Sequence, residues 1–165
     1  MPPDKPYEAS LVGVYGSFGL AMALRIIPLP PDWFALNPDW IALLLIYWTL
    51  AAPDRVGVIT AWVVGLSADA LTGRLLGQHA VAYAVMAYLN LRVRDPLLIF
   101  PVPLQCLWVL LVLLLGQLLV LWTERIEIAD SVMRLIYWLP ALTGALAWPL
   151  VLWVMPSVMR PESEP

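Results

Sequence analysis

Residues 97–122 constrain this chain more than any other stretch, because they form a long apolar run whose centre, residues 107–115, is interrupted by no polar residue. Coiled as a helix the run reaches roughly 40 Å, more than the ~30 Å of hydrocarbon in a bilayer. A helix satisfies its own backbone groups, which is the condition for residing in lipid. The rest of the chain agrees. Hydrophobic residues make up 62% of it and charged residues 13%, against roughly 45–50% and about 25% in soluble domains. Disorder, a nucleic-acid-binding module and a disulfide-stapled scaffold are excluded, and an integral membrane protein remains.

Five further apolar segments accompany the first, at residues 9–27, 40–52, 56–71, 75–91 and 135–155. The expected fold is an all-α, polytopic transmembrane bundle of about six segments, forming one membrane domain over residues 1–165. The second segment is short, reaching only about 20 Å as a helix. It could cross with residues from 36 onward, or form a re-entrant hairpin with residues 56–71, which is tolerated only inside protein. Both arrangements leave the two chain ends on one side. No signal-peptide pattern precedes the first segment, which is expected to stay in the mature chain.

Short-loop cations set orientation in membranes. Lys5, Arg55, Arg92, Arg94 and Arg160 face the cytoplasm if the N-terminus does, while Arg25, Arg74, Arg125 and Arg134 face outward. Arg92 and Arg94, read as sharing a tight turn, tip the choice toward cytoplasmic ends. Trp33, Trp40, Trp122 and Trp153 fall near segment ends, as an interfacial belt requires. Trp48, Trp62, Trp108 and Trp148 lie deeper and are expected to pack against helices or lipid. Pro101, Pro103, Pro140 and Pro149 are expected near helix starts or at kinks.

The informative stretch is residues 53–80. Gly57, Ala61, Gly65, Asp69, Gly73 and Gly77 recur every four positions. Small residues on one face let helices approach closely, the main route to association in lipid. The row reads as a packing or partner interface formed by Gly57, Ala61, Gly65, Gly73 and Gly77. It drifts by about 40° per step, so a break near residues 72–74 is expected, with glycine taking positive φ.

Asp69 is an acid within an apolar segment, and such groups usually face protein or water. Arg74, Gln78 and His79 are its candidate partners. Asp69, Arg74 and His79 are read as an intramembrane polar pin at a helix end, or alternatively as part of a proton or ligand site. Arg25 is expected to snorkel, and Gln105 and Gln117 to bond neighbouring helices. Glu124, Glu127 and Asp130, followed by Arg134, form a solvated loop or an acidic helical extension that could meet a partner.

Chemistry beyond packing has little support. His79 has no second His or Cys at ligand spacing, so no metal or other cofactor is expected. Cys106 is the one cysteine and says nothing about redox compartment. No G-x-S-x-G, H-E-x-x-H or P-loop pattern occurs, and no basic patch suits nucleic acid. The chain is not expected to be an enzyme.

The block Pro53, Asp54, Arg55, Val56, Gly57, then Ala61, Trp62, Gly65, Leu66, Asp69, Leu71, Gly73, Leu76, Gly77 and Ala80 resembles the signature region of the rod shape-determining protein MreD family, especially its proteobacterial branch. Pro38, Asp39, Trp40 and Ile46, Tyr47, Trp48 resemble it too. Residues 1–36 and 97–165 match only in hydropathy. The resemblance implies an inner-membrane component of the lateral cell-wall elongation (rod) complex. Its implied partners are the bitopic periplasmic protein MreC, the MreB filament, and a membrane glycosyltransferase with its transpeptidase. It also implies a distant likeness to six-helix substrate-binding subunits of vitamin transporters, and it brings no catalytic residues.

Two functions therefore stand at this point. One is a non-catalytic scaffold in the lipid bilayer that binds MreC, links MreB to peptidoglycan synthesis and could self-associate. The other is a membrane-embedded small-molecule binding or transport subunit, motivated by Asp69, Gln78, His79 and the deep tryptophans.

Overall fold

A helix that is apolar on every side can be stable only when surrounded, and Trp40–Ala51 is such a helix. In the computed structural model, which describes residues 10–26, 36–73, 75–124 and 131–158, it occupies the centre. Every residue from Ile41 to Leu50 is buried. Six α-helices are found among the described residues: α1 (Leu11–Ile26), α2 (Trp40–Ala51), α3 (Val58–Thr72), α4 (Gln78–Ile99), α5 (Val102–Glu124) and α6 (Ser131–Val154). A 3-10 turn, Met155–Val158, follows, and no strand occurs among the described residues. The protein is all-α, and α2 is wrapped by α1, α4, α5 and α6.

The twelve residues of α2 span only about 18 Å, and polar groups at both its ends find partners within the chain. Asp39 is the N-cap, and its Oδ1 accepts from the Ala42 amide at 3.1 Å. At the other end Arg94 Nε donates to the Leu50 carbonyl at 2.8 Å. An acid at the start and a cation at the end also complement the helix dipole.

The sequence-derived boundaries shift at α4. Residues 97–99 close α4 rather than opening the fifth segment, because Leu97 continues its buried face and Pro101 forces the preceding residue out of the helical region. Phe100 is accordingly extended, at φ −69° and ψ 144°. Arg92 and Arg94 thus lie within a helix and not in a tight turn. The start of α4 moves from residue 75 to Gln78. The intervening turn holds two left-handed glycines, Gly73 at φ 64° and Gly77 at φ 111°.

Close helix contacts are made at glycines. A Cβ on Gly65 of α3 would stand 2.6 Å from the Ala80 nitrogen and 2.7 Å from the His79 carbonyl carbon of α4. On α5, Gly116 faces the Met86 sulfur in the same way, and Gly144 of α6 faces Leu113. The outer helices α5 and α6 hold the two stretches long and apolar enough to cross a membrane, Val102–Trp122 and Ile136–Val154. Leu107, Leu111, Leu118 and Trp122 project outward from the first, and Leu142, Leu146, Leu150 and Trp153 from the second.

The deep tryptophans divide. Trp48 and Trp148 are fully buried, whereas Trp62 is exposed. Trp48 donates to the Ser17 hydroxyl at 2.9 Å, Trp108 to Asn90 at 2.8 Å and Trp148 to Gln105 at 3.2 Å. Each indole thereby joins two helices that apolar contact alone would leave free to slide. Trp122 and Trp153 are exposed near helix ends, and Trp40 donates to Asn37 at 3.0 Å.

Candidate functional site: a chain of polar side chains beneath an open cavity

Three helix ends meet where Asp69 sits. Gly77, the N-cap of α4, has no side chain with which to cap, and none of its own residues replaces it. Asp69, in the last turn of α3, supplies the missing acceptor. Its carboxylate takes the Gly77 amide at 2.8 Å and the His79 amide at 3.1 Å. A carboxylate against the open amides of a helix N-terminus is a favourable placement. The same carboxylate lies 2.7 Å from His79 Nδ1, and Asp69 itself is fully buried.

The chain continues from His79 into α1. Arg25 Nη2 lies 3.0 Å from His79 Nε2. A guanidinium can only donate, so Nε2 accepts and the ring proton sits on Nδ1, pointing at Asp69. This neutral tautomer is fixed by its two neighbours. Arg25 Nη1 then forms an ion pair with Asp39 Oδ1 at 3.3 Å. The Tyr83 hydroxyl donates to Asp39 Oδ2 at 2.7 Å and receives Arg25 Nη1 at 3.4 Å. The run Asp69–His79–Arg25–Asp39–Tyr83 thus links α3, α4, α1 and α2 at one end of the bundle.

Directly above it is a cavity of about 690 Å³. Arg25, Asp39, His79 and Tyr83 line one side, and Met86, Leu113, Val120, Pro140 and Ala141 give it apolar walls. Gln117 and Tyr137 also face it. Tyr137 donates to the Gln117 carbonyl at 3.1 Å, while the side-chain oxygen of Gln117 is buried without a hydrogen-bond partner. A second, smaller groove of about 390 Å³ runs between α1 and α3, past Tyr15, Gly19, Met22, Ile59, Val63 and Ser67.

The residues singled out in the sequence are placed as follows. Asp69 and His79 are in direct contact. Arg74, Glu127 and Asp130 lie outside the described residues, and Glu124 is the last residue of α5. Gln78 is buried with its amide oxygen unpaired, and among the described residues the Asp69 carboxylate is bonded by Gly77 and His79. Ala61 and Gly65 are buried within the chain. The face of Gly65 is packed against α4 of the same molecule. Gly73 and Gly77 form the turn, and Gly57 is the N-cap of α3 with open space around it.

Three members of the network escaped the sequence reading in these roles. The sequence suggests only snorkelling for Arg25, and it gives Asp39 and Tyr83 no place in a polar network. Signals did exist. An acid immediately before an apolar run is an N-cap pattern, and Tyr83 follows His79 by four residues, hence on the same face of α4.

Residues 10–159 match the family model for rod shape-determining protein MreD. The chain belongs to the MreD family. A relative from Haemophilus influenzae, a rod shape-determining protein MreD, is 30% identical over 147 residues, covering 87% of this chain and 88% of the relative. No solved structure matches. MreD is a shape-determining family of membrane proteins and not a known enzyme family. The match extends beyond residues 38–80, where the resemblance had been most specific, into the outer helices that had matched by hydropathy alone.

Proposed function

We propose that this protein is a non-catalytic scaffold of the inner-membrane cell-wall elongation complex, binding MreC and coupling MreB filaments to peptidoglycan synthesis. The observation that carries the reading is the match of nearly the entire chain to a family that determines rod shape. The fold supplies suitable surfaces. The helices α5 and α6 present apolar stripes outward, and the groove between α1 and α3 has largely apolar walls that a partner's transmembrane helix could contact.

In this reading the six helices cross the bilayer alternately, with α2 crossing inside the protein and not in contact with lipid. Both chain ends are cytoplasmic, and the Arg25–Asp39 end of the bundle is periplasmic. The acidic connection containing Glu124, Glu127 and Asp130 then meets periplasmic partner segments.

The test is co-purification from detergent of the tagged chain with MreC of the same bacterium. Gly65 is unsuitable for probing the interface, since enlarging it disturbs α3 against α4. Gly19 is suitable, because a Cβ there meets nothing within 4 Å and it lies in the groove. Gly19→Trp is expected to reduce MreC recovery about ten-fold, the equivalent of about 1.4 kcal/mol, with insertion unchanged. Undiminished recovery would remove the groove from the proposal. Failure of the unmodified chain to recover MreC at all would remove the scaffold reading.

A further inference from the structure

The scaffold reading makes no use of the cavity, yet its size falls within the range of small-molecule sites and its lining is specific. Of the groups that line it, Arg25 and Asp39 are charged and already paired with each other at 3.3 Å. Their side chains keep about a quarter of their surface exposed, 25% and 27%, so the pair offers donors and an acceptor side by side. His79 is held neutral by its two neighbours. Opposite, the Gln117 amide makes no hydrogen bond with its oxygen. The walls between are apolar, from Met86, Leu113 and Pro140.

This pattern has a chemical complement. A carboxylate placed on Arg25 would stand beside the Asp39 carboxylate, and an ammonium placed on Asp39 would stand beside the Arg25 guanidinium, so either meets like-charge repulsion from the other member of the pair. A neutral group that carries a donor and an acceptor on one edge can meet both members of the pair without separating them. We propose that the cavity binds a neutral, mainly apolar small molecule bearing an amide-type edge (a carboxamide, lactam or urea), with that edge on Arg25 and Asp39. This site is independent of the scaffold function, and recovery of MreC does not report on it.

The experiment is photolabelling of the purified full chain in nanodiscs with three probes of one shape: 4-benzoylbenzamide, which is neutral, 4-benzoylbenzoate, which is anionic, and 4-benzoylbenzylamine, which is cationic. Labelled positions are read by peptide mass spectrometry. The carboxamide is expected to label α4 and α5 around Met86 and Leu113 about ten-fold more than either charged probe, equivalent to about 1.4 kcal/mol. Gln117→Trp, which fills the cavity, is expected to abolish that labelling. Asp39→Asn keeps a good N-cap residue for α2 but leaves Arg25 unpaired, so preference should pass to the carboxylate probe by a similar factor. Equal labelling by all three probes, labelling confined to outward residues such as Leu146 and Trp153, or no change of preference in Asp39→Asn would overturn the proposal and leave a water-filled cavity.

Discussion

Asp69 does the work of a side chain that Gly77 lacks. The turn requires glycine at residue 77 for its positive φ, and a glycine cannot cap the helix it starts. The acid from the preceding helix closes that gap and fastens α3 to α4 in doing so. Hydrogen bonds to a charged group contribute about 1.5–3 kcal/mol each, and Asp69→Asn weakens several at once. Its thermal midpoint in detergent should fall by the equivalent of about 2–3 kcal/mol, and a midpoint equal to that of the unmodified protein would show that the carboxylate is dispensable. Glycines at other positions have a different use. Gly65→Ala forces α3 away from the α4 backbone and should cost about 1–3 kcal/mol. Gly19→Ala meets open space in the middle of α1 and should gain up to about 1 kcal/mol through helix propensity. Paired chemical or thermal denaturation of the two variants checks both signs.

Among the elements, α2 shows how a helix too short to cross a bilayer unaided is accommodated. Its surroundings are protein, and its ends are closed by polar side chains, Asp39 at one and Arg94 at the other. Arg94 comes from the far part of α4, so α4 holds both ends of α2: Tyr83 reaches Asp39 near its start, and Arg94 reaches Leu50 near its end. Arg94→Ala removes the side-chain donor from the carbonyl of the buried Leu50, at a cost of about 1–3 kcal/mol. Hydrogen exchange should then quicken selectively in the last turn of α2. Uniform exchange behaviour along α2 in that variant would mean that Arg94 is not its cap.

Seen as a whole, the molecule is polarised along its length. The ionic network and the large cavity gather at the end where α1 and α3 finish and α2 and α4 begin, whereas the opposite end has Arg94. The proposed topology puts the network at the periplasmic face. A cysteine placed at residue 128, in a background with Cys106 replaced by serine, should react with a membrane-impermeant maleimide in intact cells whose outer membrane has been permeabilised. Labelling only after lysis would invert the orientation and with it the assignment of partners to faces.

Much of this was legible in the residues themselves. Long apolar runs, a row of small side chains and two glycines at a break have local causes, namely burial in lipid, backbone approach and positive φ. They determined an all-α membrane protein and placed a break near residues 72–74 and the contact of Asp69 with residues beyond it. Only the tertiary structure decided that Gly65 packs against a helix of the same chain, that α4 runs on to Ile99, and that Arg25 and Asp39 join His79 and Tyr83 beside a cavity. Those outcomes depend on which helices lie side by side. Hydropathy is nearly blind to that choice, because in a chain this apolar every face looks equally ready to be buried.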